Sequence, residues 1–471
     1  MHLRIKVLIW VYVVLLIIEG AMRKWLLPSM ADYLLVIRDP VLLLIYALAV
    51  AEGVFPTNNI FMGVIGALAG ASVLFSFLGG NTNPLVIAYG VRINYLHLPL
   101  IWIFGAVLNR RDVERLGTFL LLMAIPMTFV MVRQFDSPQD AWINRGVGAD
   151  DRGQIFGADG RIRAPGLFAF ITGPQLFYPL VAAFFFDQLG GTKRMPWYLL
   201  IVCGVAIAIA LPVSISRTVM IATGIVAAAF VCTLPMSSSR LTSLARPFIL
   251  VCLVLAALTQ MPIFKKGTDV FMMRWDQAAQ EAIGAGEDNA WASLSDRTIR
   301  AFTNTGYFLG EASLFGEGIG MGSNVGSRLT TGMVGFGLAE EEWGKIILEL
   351  GPLLGLAFIA FRIWLTFYLG IEAWRALRNE KDALPLMIWA ALMIAILQGQ
   401  WAPPTVLGFA VLGGGLILAA LNPVPESETD EVKAKAAAVA SAPVIFGLPT
   451  HAALPEASNR RPPIVIRTIQ K

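Results

Sequence analysis

Apolar residues run in long blocks along most of this chain, with short polar stretches between them. Twelve blocks begin near Val7, Tyr33, Ile60, Leu85, Leu116, Leu167, Trp197, Val219, Phe248, Lys345, Leu384 and Thr405. A helix of about 20 mostly apolar residues is long enough to cross the hydrocarbon core of a bilayer. Because each block comes close to that length, the pattern predicts an all-α fold with about twelve transmembrane helices within residues 1–421.

The polar stretches between the blocks predict an orientation. Short connections rich in lysine and arginine remain on the cytoplasmic side of a membrane. Connections of this kind occur at residues 4–6, 110–115, 193–194, 240–246 and 375–381. We therefore expect both termini in the cytoplasm, and residues 422–471 as a disordered tail of alanine, proline and small polar residues. Two long polar segments, residues 136–166 and 262–344, then lie on the outer face.

Composition supports a membrane protein and excludes several other classes. Of the 471 residues, 56% are hydrophobic and 14% are charged, whereas soluble domains average about 45–50% and about 25%. A soluble globular enzyme is therefore excluded. The formal charge of +4 is too weak to indicate a nucleic-acid partner. Three cysteines, all within apolar blocks, provide no disulfide framework.

The two long outer segments are rich in arginine, whose planar fork of donors suits phosphate and carboxylate. We predict an anion site there that uses Arg163, Arg217 with its neighbour Ser216, and Arg297 with Arg300. Arg217 lies in the short turn between the seventh and eighth blocks. For Arg163 and Arg217 the alternative is an anchor in the lipid headgroups.

Three consecutive glutamates, Glu340–Glu342, precede the tenth block, and Lys345 and Glu349 follow at helical spacing. They are either an acidic first turn that complements the helix dipole or the source of a general base. We expect Lys345 to pair with Glu349. The outer segments contain no Asp-x-Asp and no histidine or cysteine cluster, so neither a metal site nor a cofactor is predicted.

Polar residues also occur inside the blocks. Arg38 and Asp39 suggest a local ion pair at a kinked helix start, and His97 suggests a core histidine with satisfied hydrogen bonds. Within Leu314–Asn324, glycine occupies alternate positions, which favours positive φ and close approach of the backbone to a ligand. The spacing does not match a nucleotide-binding loop.

Four of these features occur in an order that resembles the O-antigen ligase and polymerase family, which includes exopolysaccharide polymerases. They are Ser214–Arg217, Arg297, Leu314–Gly320 and Glu349–Gly355, and the resemblance covers Arg163 to about Leu354. It implies a C-type glycosyltransferase-like fold in the bacterial inner membrane. That fold has about twelve transmembrane helices and a large helical periplasmic loop between helices nine and ten.

The resemblance also implies an activity and its partners. The activity is polymerisation of oligosaccharide repeat units carried on polyprenyl (undecaprenyl) diphosphate, with a growing polysaccharide as acceptor and without a nucleotide sugar. Arg217 and Arg297 would hold the diphosphate. Family ligases place a histidine base just before the tenth helix; an ungapped count puts Glu340 there, and the base stays open between Glu340 and Glu342. The alternatives are ligase-type transfer to another acceptor, a lipid or polysaccharide flippase, and a secondary transporter.

Overall fold

Helices account for nearly all the regular structure in a computed structural model of the chain. The structure describes residues 2–81, 83–149, 154–190, 195–236, 256–284, 304–332 and 338–424. Residues Met1–Pro423 form one unit and Val424–Lys471 a second. The described α-helices, all in the first unit, are α1 Leu3–Ala21, α2 Ala31–Leu34, α3 Asp39–Ala51, α4 Ile60–Leu78, α5 Pro84–Val91, α6 Leu100–Val107, α7 Arg110–Asp136, α8 Thr172–Leu189, α9 Trp197–Val213, α10 Arg217–Thr233, α11 Pro262–Gly284, α12 304–311, α13 Asn324–Thr331, α14 Glu342–Glu380, α15 Leu384–Gln398 and α16 Pro404–Ala420.

Seven helical segments in the described ranges are long and apolar enough to cross a membrane, and α9, α15 and α16 are shorter apolar helices. The protein is therefore a multi-pass helical membrane protein. Eleven of the twelve predicted blocks coincide with helical segments, and the ninth, near Phe248, lies outside the described residues. The total of twelve spans and the orientation stay predictions. The seven long segments are Leu3–Leu26, Pro28–Ala51, Ile60–Leu78, Pro84–Val107, Arg110–Asp136, Arg217–Met236 and Glu342–Glu380.

Three of these segments are interrupted where polar side chains enter the bundle. π-Helical turns at Met22–Leu26 and Arg92–Leu96 interrupt the first and fourth segments. In the second, α3 starts only at Asp39, with Pro40 in its first turn, where proline costs no backbone hydrogen bond. Irregular backbone at membrane depth is tolerated where protein covers it or a cavity adjoins it.

The helix α14 is folded back on itself at Gly351, which has φ 75° and ψ 170°. A Cβ atom on Gly355 would lie 2.9 Å from Ile347 Cα. In a straight helix, two residues eight apart are separated by about 12 Å. The first arm, residues 342–350, therefore packs against the second arm, residues 352–380, as a helical hairpin. Only glycine adopts the backbone conformation of residue 351 readily, and Pro352 starts the second arm.

The glycine segment, residues 314–322, fills the space between this hairpin and the α4–α5 pair. Gly316, Gly318 and Gly320 have φ values of 70°, 100° and 90°. A Cβ atom on Gly316 would lie 2.3 Å from Glu349 O, and one on Gly320 would lie 2.5 Å from Val86 O. The predicted positive φ is confirmed at these three glycines. Their close approach is to the protein's own backbone, and an approach to a ligand stays a prediction.

The large predicted outer segment contains three described helices, α11, α12 and α13, and the non-helical glycine segment. α11 packs against α9, and a Cβ atom on Gly267 would lie 3.3 Å from Val213 Cγ2. This contact places the start of α11 beside the turn that leads to Arg217.

Candidate functional site

Residues 155–163 of the first long polar segment form a small antiparallel hairpin. The Gly157 N–H donates to Arg161 O at 2.7 Å, and the Arg163 N–H donates to Ile155 O at 2.9 Å. Asp159 and Gly160 supply the positive φ values of its turn. Residues directly opposite each other in an antiparallel pair share a face, so Arg161 and Arg163 lie on the same face as Gly157.

That face lies against the turn between α9 and α10. A Cβ atom on Gly157 would lie 2.9 Å from Ile215 Cδ1, and Ile215 is buried. The next residue, Ser216, caps α10, and its Oγ accepts a hydrogen bond from Gln175 Nε2 at 3.2 Å. The structure therefore brings Arg163, Ser216 and Arg217 into one region built from the first polar segment, α8 and the α9–α10 turn.

This region is basic. Arg161 Nη1 donates to Phe135 O at 2.7 Å and lies 3.7 Å from Asp136 Oδ1. Lys266 Nζ of α11 lies 3.3 Å from the same carboxylate oxygen. Arg163 and Arg217 add two further positive charges, so the region suits an anionic group such as a diphosphate.

Arg297 and Arg300 lie outside the described residues, within 285–303. Their predicted part in the anion site stays a prediction. The helix α11 ends just before that segment, and α12 begins just after it.

The three consecutive glutamates have three different environments. Glu340 is exposed, and its backbone oxygen accepts a hydrogen bond from Gln400 Nε2. Glu341 precedes α14, and its Oε1 accepts from Asn304 Nδ2 at 3.0 Å. Glu342 is buried, with 2% of its side chain exposed. Of the two predicted base candidates, only Glu340 has a solvent-accessible side chain.

Glu342 lies between two cations. Its Oε2 is 2.6 Å from Lys345 Nζ, and its Oε1 is 3.0 Å from Arg362 Nη1. The Trp401 N–H also donates to Oε1 at 3.4 Å, and the Arg362 guanidinium lies 3.9 Å from the centre of the Trp401 ring. Arg362 is not among the residues predicted from the sequence. The sequence does contain an indication of it, because Arg362 lies inside an apolar block. A charge buried in the membrane is costly unless it is paired.

The ion pair of Lys345 forms one turn earlier than the spacing predicts. The Lys345 ammonium pairs with the Glu342 carboxylate, whereas Glu349 Oε1 accepts a hydrogen bond from the Gly322 N–H at 2.7 Å. Glu349 therefore fastens the glycine segment to the first arm of the hairpin.

Arg38 and Asp39 also differ from the prediction of a local pair. Arg38 Nε lies 3.5 Å from Glu19 Oε2, while Asp39 pairs with Arg92 and with His97 Nε2. Each residue thus joins a different segment. His97 is buried and both its ring nitrogens have partners, so its predicted role as a satisfied core histidine is confirmed.

A series of contacts places Glu340 and the basic region at the same end of the bundle. Lys24 Nζ, at the end of the first segment, donates to Gly166 O at 2.8 Å, just beyond the hairpin that carries Arg163. In the same first segment, Glu19 pairs with Arg38, and Arg38 Nη2 donates to Pro404 O at the start of α16. The residues just before Pro404 include Gln400, which contacts Glu340.

Comparison with protein-family models and with curated proteins finds no match for this chain. Within the described ranges, no group of three or more histidine, cysteine, aspartate and glutamate side chains is placed to hold a metal ion.

Proposed function

We propose that the protein is a membrane glycosyltransferase that polymerises lipid-linked oligosaccharides. Its donor is a repeat unit on a polyprenyl diphosphate, its acceptor is the growing polysaccharide, and the product is an exopolysaccharide or O-antigen. One observation carries the proposal: the hairpin face with Arg163 lies against the turn that holds Ser216 and Arg217. Two segments that are distant in sequence thus supply forked cationic donors to one place. The order of motifs in the sequence supports the same family.

The proposal includes an orientation. The basic region faces the periplasm, about twelve helices cross the bacterial inner membrane, and both termini are cytoplasmic. The support is the distribution of lysine and arginine between the apolar blocks, which follows the rule for cytoplasmic connections.

The reaction transfers one sugar chain. The acceptor hydroxyl gives its proton to a carboxylate, and its oxygen bonds to the anomeric carbon of the donor. The bond between that carbon and the phosphate oxygen breaks, and the lipid diphosphate leaves with the electron pair. Arg163 and Arg217, with Arg297 and Arg300, stabilise the charge on the leaving group.

Glu340 is the better placed of the two predicted bases. Its side chain is exposed at the end of the bundle that carries the basic region. Both carboxylate oxygens of Glu342 are held by Lys345, Arg362 and Trp401, and its side chain is buried, so neither oxygen is presented to an acceptor hydroxyl.

The test uses the purified full-length protein in lipid nanodiscs with a polyprenyl-diphosphate-linked repeat unit. We expect a ladder of products that differ by one repeat unit. A single transfer to a different acceptor indicates ligase activity instead. If the donor stays unchanged under conditions in which the protein binds it, the transferase proposal is wrong.

A lipid or polysaccharide carrier is the second candidate, and one observation favours it. Buried charged residues from the first, second and fourth segments meet inside the bundle, and all three segments are interrupted there. Charged residues and discontinuous helices at membrane depth are typical of transporters. Reconstituted vesicles distinguish the two: a carrier moves the lipid-linked donor across the bilayer without forming a product.

A further inference from the structure

Six ionisable side chains meet inside the bundle, away from the basic region. Five are buried, with exposed fractions between 0% and 9%, and Asp39 is nearly so. Placing ionisable groups at membrane depth is costly, and such groups are usually functional. The six are Tyr12 and Glu19 from the first segment, Arg38 and Asp39 from the second, and Arg92 and His97 from the fourth.

A continuous chain of hydrogen bonds, here called the His97 chain, joins all of these except Glu19. Arg38 Nη1 lies 3.1 Å from Tyr12 Oη, which lies 3.0 Å from His97 Nδ1. On the other side of the ring, His97 Nε2 lies 3.1 Å from Asp39 Oδ1. Arg92 Nη2 lies 3.1 Å from the same oxygen, and Arg92 Nε bonds to the second carboxylate oxygen.

The groups in the His97 chain that can only donate or only accept hydrogen bonds determine where its other hydrogens lie. A guanidinium only donates hydrogen bonds, and an ionised carboxylate only accepts them. Nε2 of His97 must therefore carry a hydrogen, which it donates to Asp39. With a neutral ring, Nδ1 then has no hydrogen and accepts one from the Tyr12 hydroxyl, whose oxygen accepts from Arg38.

In this arrangement the imidazole ring can bind one further proton, at Nδ1. We propose that His97 is a proton-binding site inside the bundle, which takes up a proton from solvent at Nδ1. The ring becomes an imidazolium, and the Tyr12 hydroxyl rotates so that its oxygen accepts the new Nδ1–H. Tyr12 then no longer donates to His97.

The groups around His97 include both signs of charge. Asp39 and Glu19 are acidic, whereas Arg38 and Arg92 are basic. Arg23 pairs with Glu19 and extends the network toward the end of the first segment.

The helix α16, which packs against α6, contains no titratable residue. Three tyrosines also lie near the His97 chain: Tyr46, which donates to Leu96 O; Tyr89, beneath the Arg92 guanidinium; and Tyr95, which bonds to Ser72.

Proton uptake at His97 is connected to the candidate site. Arg38 bonds to both Tyr12 and Pro404 O, and three residues earlier Trp401 donates to Glu342. A change in the bonding of Tyr12 thus acts on a residue that also holds the segment before α16. This inference does not rest on the proposed function, since a proton site at this place serves a transferase or a carrier equally.

Nuclear magnetic resonance of the full-length protein with ¹⁵N-labelled histidine tests the proposal. The chain has only three histidines, His2, His97 and His451, so His97→Gln assigns the His97 signals by their loss. At neutral pH we expect the tautomer with hydrogen on Nε2. On acidification we expect one further proton at Nδ1. A neutral tautomer with hydrogen on Nδ1, or no titration before the protein unfolds, would overturn the proposal. This measurement needs no substitution of the other residues in the His97 chain.

Tyr12→Phe tests the coupling. Because a hydrogen bond to a charged partner is stronger than one to a neutral partner, losing the hydroxyl should weaken proton binding at His97 roughly tenfold. The matched control is Tyr178→Phe, which removes another fully buried tyrosine hydroxyl, bonded to Thr128 at 2.8 Å. We expect this control to leave the His97 midpoint unchanged. The same midpoint in Tyr12→Phe and in the unmodified protein would show that Tyr12 is not the partner.

Discussion

Arg362 Nη1 lies 3.0 Å from Glu342 Oε1, although twenty residues separate them within α14. In a straight helix, twenty residues extend about 30 Å. The contact exists because Gly351 reverses the chain, so that the two arms pack against each other and the start of the first arm lies beside Arg362 within the second. Both side chains are buried. The ion pair therefore closes the hairpin that places Glu340 beside Gln400.

The first prediction concerns this ion pair. Arg362→Met should destabilise the protein by about 3–5 kcal/mol, because it leaves Glu342 as a buried charge without its second cation. The matched control is Arg375→Met on the same helix. Arg375 pairs with Glu372, and 62% of the Arg375 side chain is exposed. Exposed pairs contribute about 0–1 kcal/mol. Unfolding of both variants in nanodiscs measures the difference. Equal losses would mean that the buried pair does not hold the hairpin.

The second prediction concerns the bend itself. Gly351→Ala should cost about 1–3 kcal/mol from backbone strain alone, and its Cβ atom would also lie 2.3 Å from Leu314 O. Gly66→Ala is the control, because that position in α4 has open space around it. There alanine should be neutral or stabilising by about 0.5–1 kcal/mol. If Gly351→Ala unfolds at the same temperature as the unmodified protein, the bend tolerates a side chain.

Local and distant features differ in how far the sequence could predict them. The helical segments were predictable, because membrane burial of a helix depends on about 20 neighbouring residues. The positive φ values of the glycine segment were predictable as well, since only glycine combines them with close packing. The hairpin at Gly351 was not, because glycine followed by proline also occurs at a simple kink. The pairs that depend on the bend or on neighbouring segments, Arg362 with Glu342 and Asp39 with His97, could not be read from spacing along one helix.

The third prediction concerns orientation. A cysteine at Gly284, at the end of α11, should react with a membrane-impermeant thiol reagent in intact spheroplasts, because the basic connections predict that residues 262–344 lie outside. A cysteine at Asn58, in the connection between α3 and α4, should react only after the membrane is permeabilised. Both are placed in a chain whose native cysteines are changed to serine. The reverse pattern of labelling would invert the topology.

The fourth prediction concerns Arg217. Arg217→Lys keeps the charge but loses the planar fork, so polymer growth should fall steeply while the protein remains folded and inserted. Arg133→Lys is the matched control, since Arg133 is an exposed arginine near the end of α7. Product ladders and donor binding are measured for both. Near-normal polymer growth in Arg217→Lys would reduce Arg217 to an anchor at the membrane interface.

The last prediction separates the glutamates. Loss of a general base typically lowers the rate about a hundred- to ten-thousand-fold. Glu340→Gln should do so while donor lipid still binds and the unfolding temperature is unchanged, because the side chain is exposed. Glu342→Gln should instead act through stability, since it removes the charge between Lys345 and Arg362. Glu349→Gln alone should leave polymer growth in place, because its described contact is with the glycine segment.

The outcome is read from rate and stability together. A large loss of rate in Glu342→Gln with unchanged unfolding would assign the base to Glu342, despite its two cationic partners. If Glu340→Gln and Glu342→Gln both polymerise normally, then neither carboxylate accepts the proton. The acidic cluster would then serve only to start the hairpin, because three glutamates at a helix N-terminus are also favoured by the helix dipole.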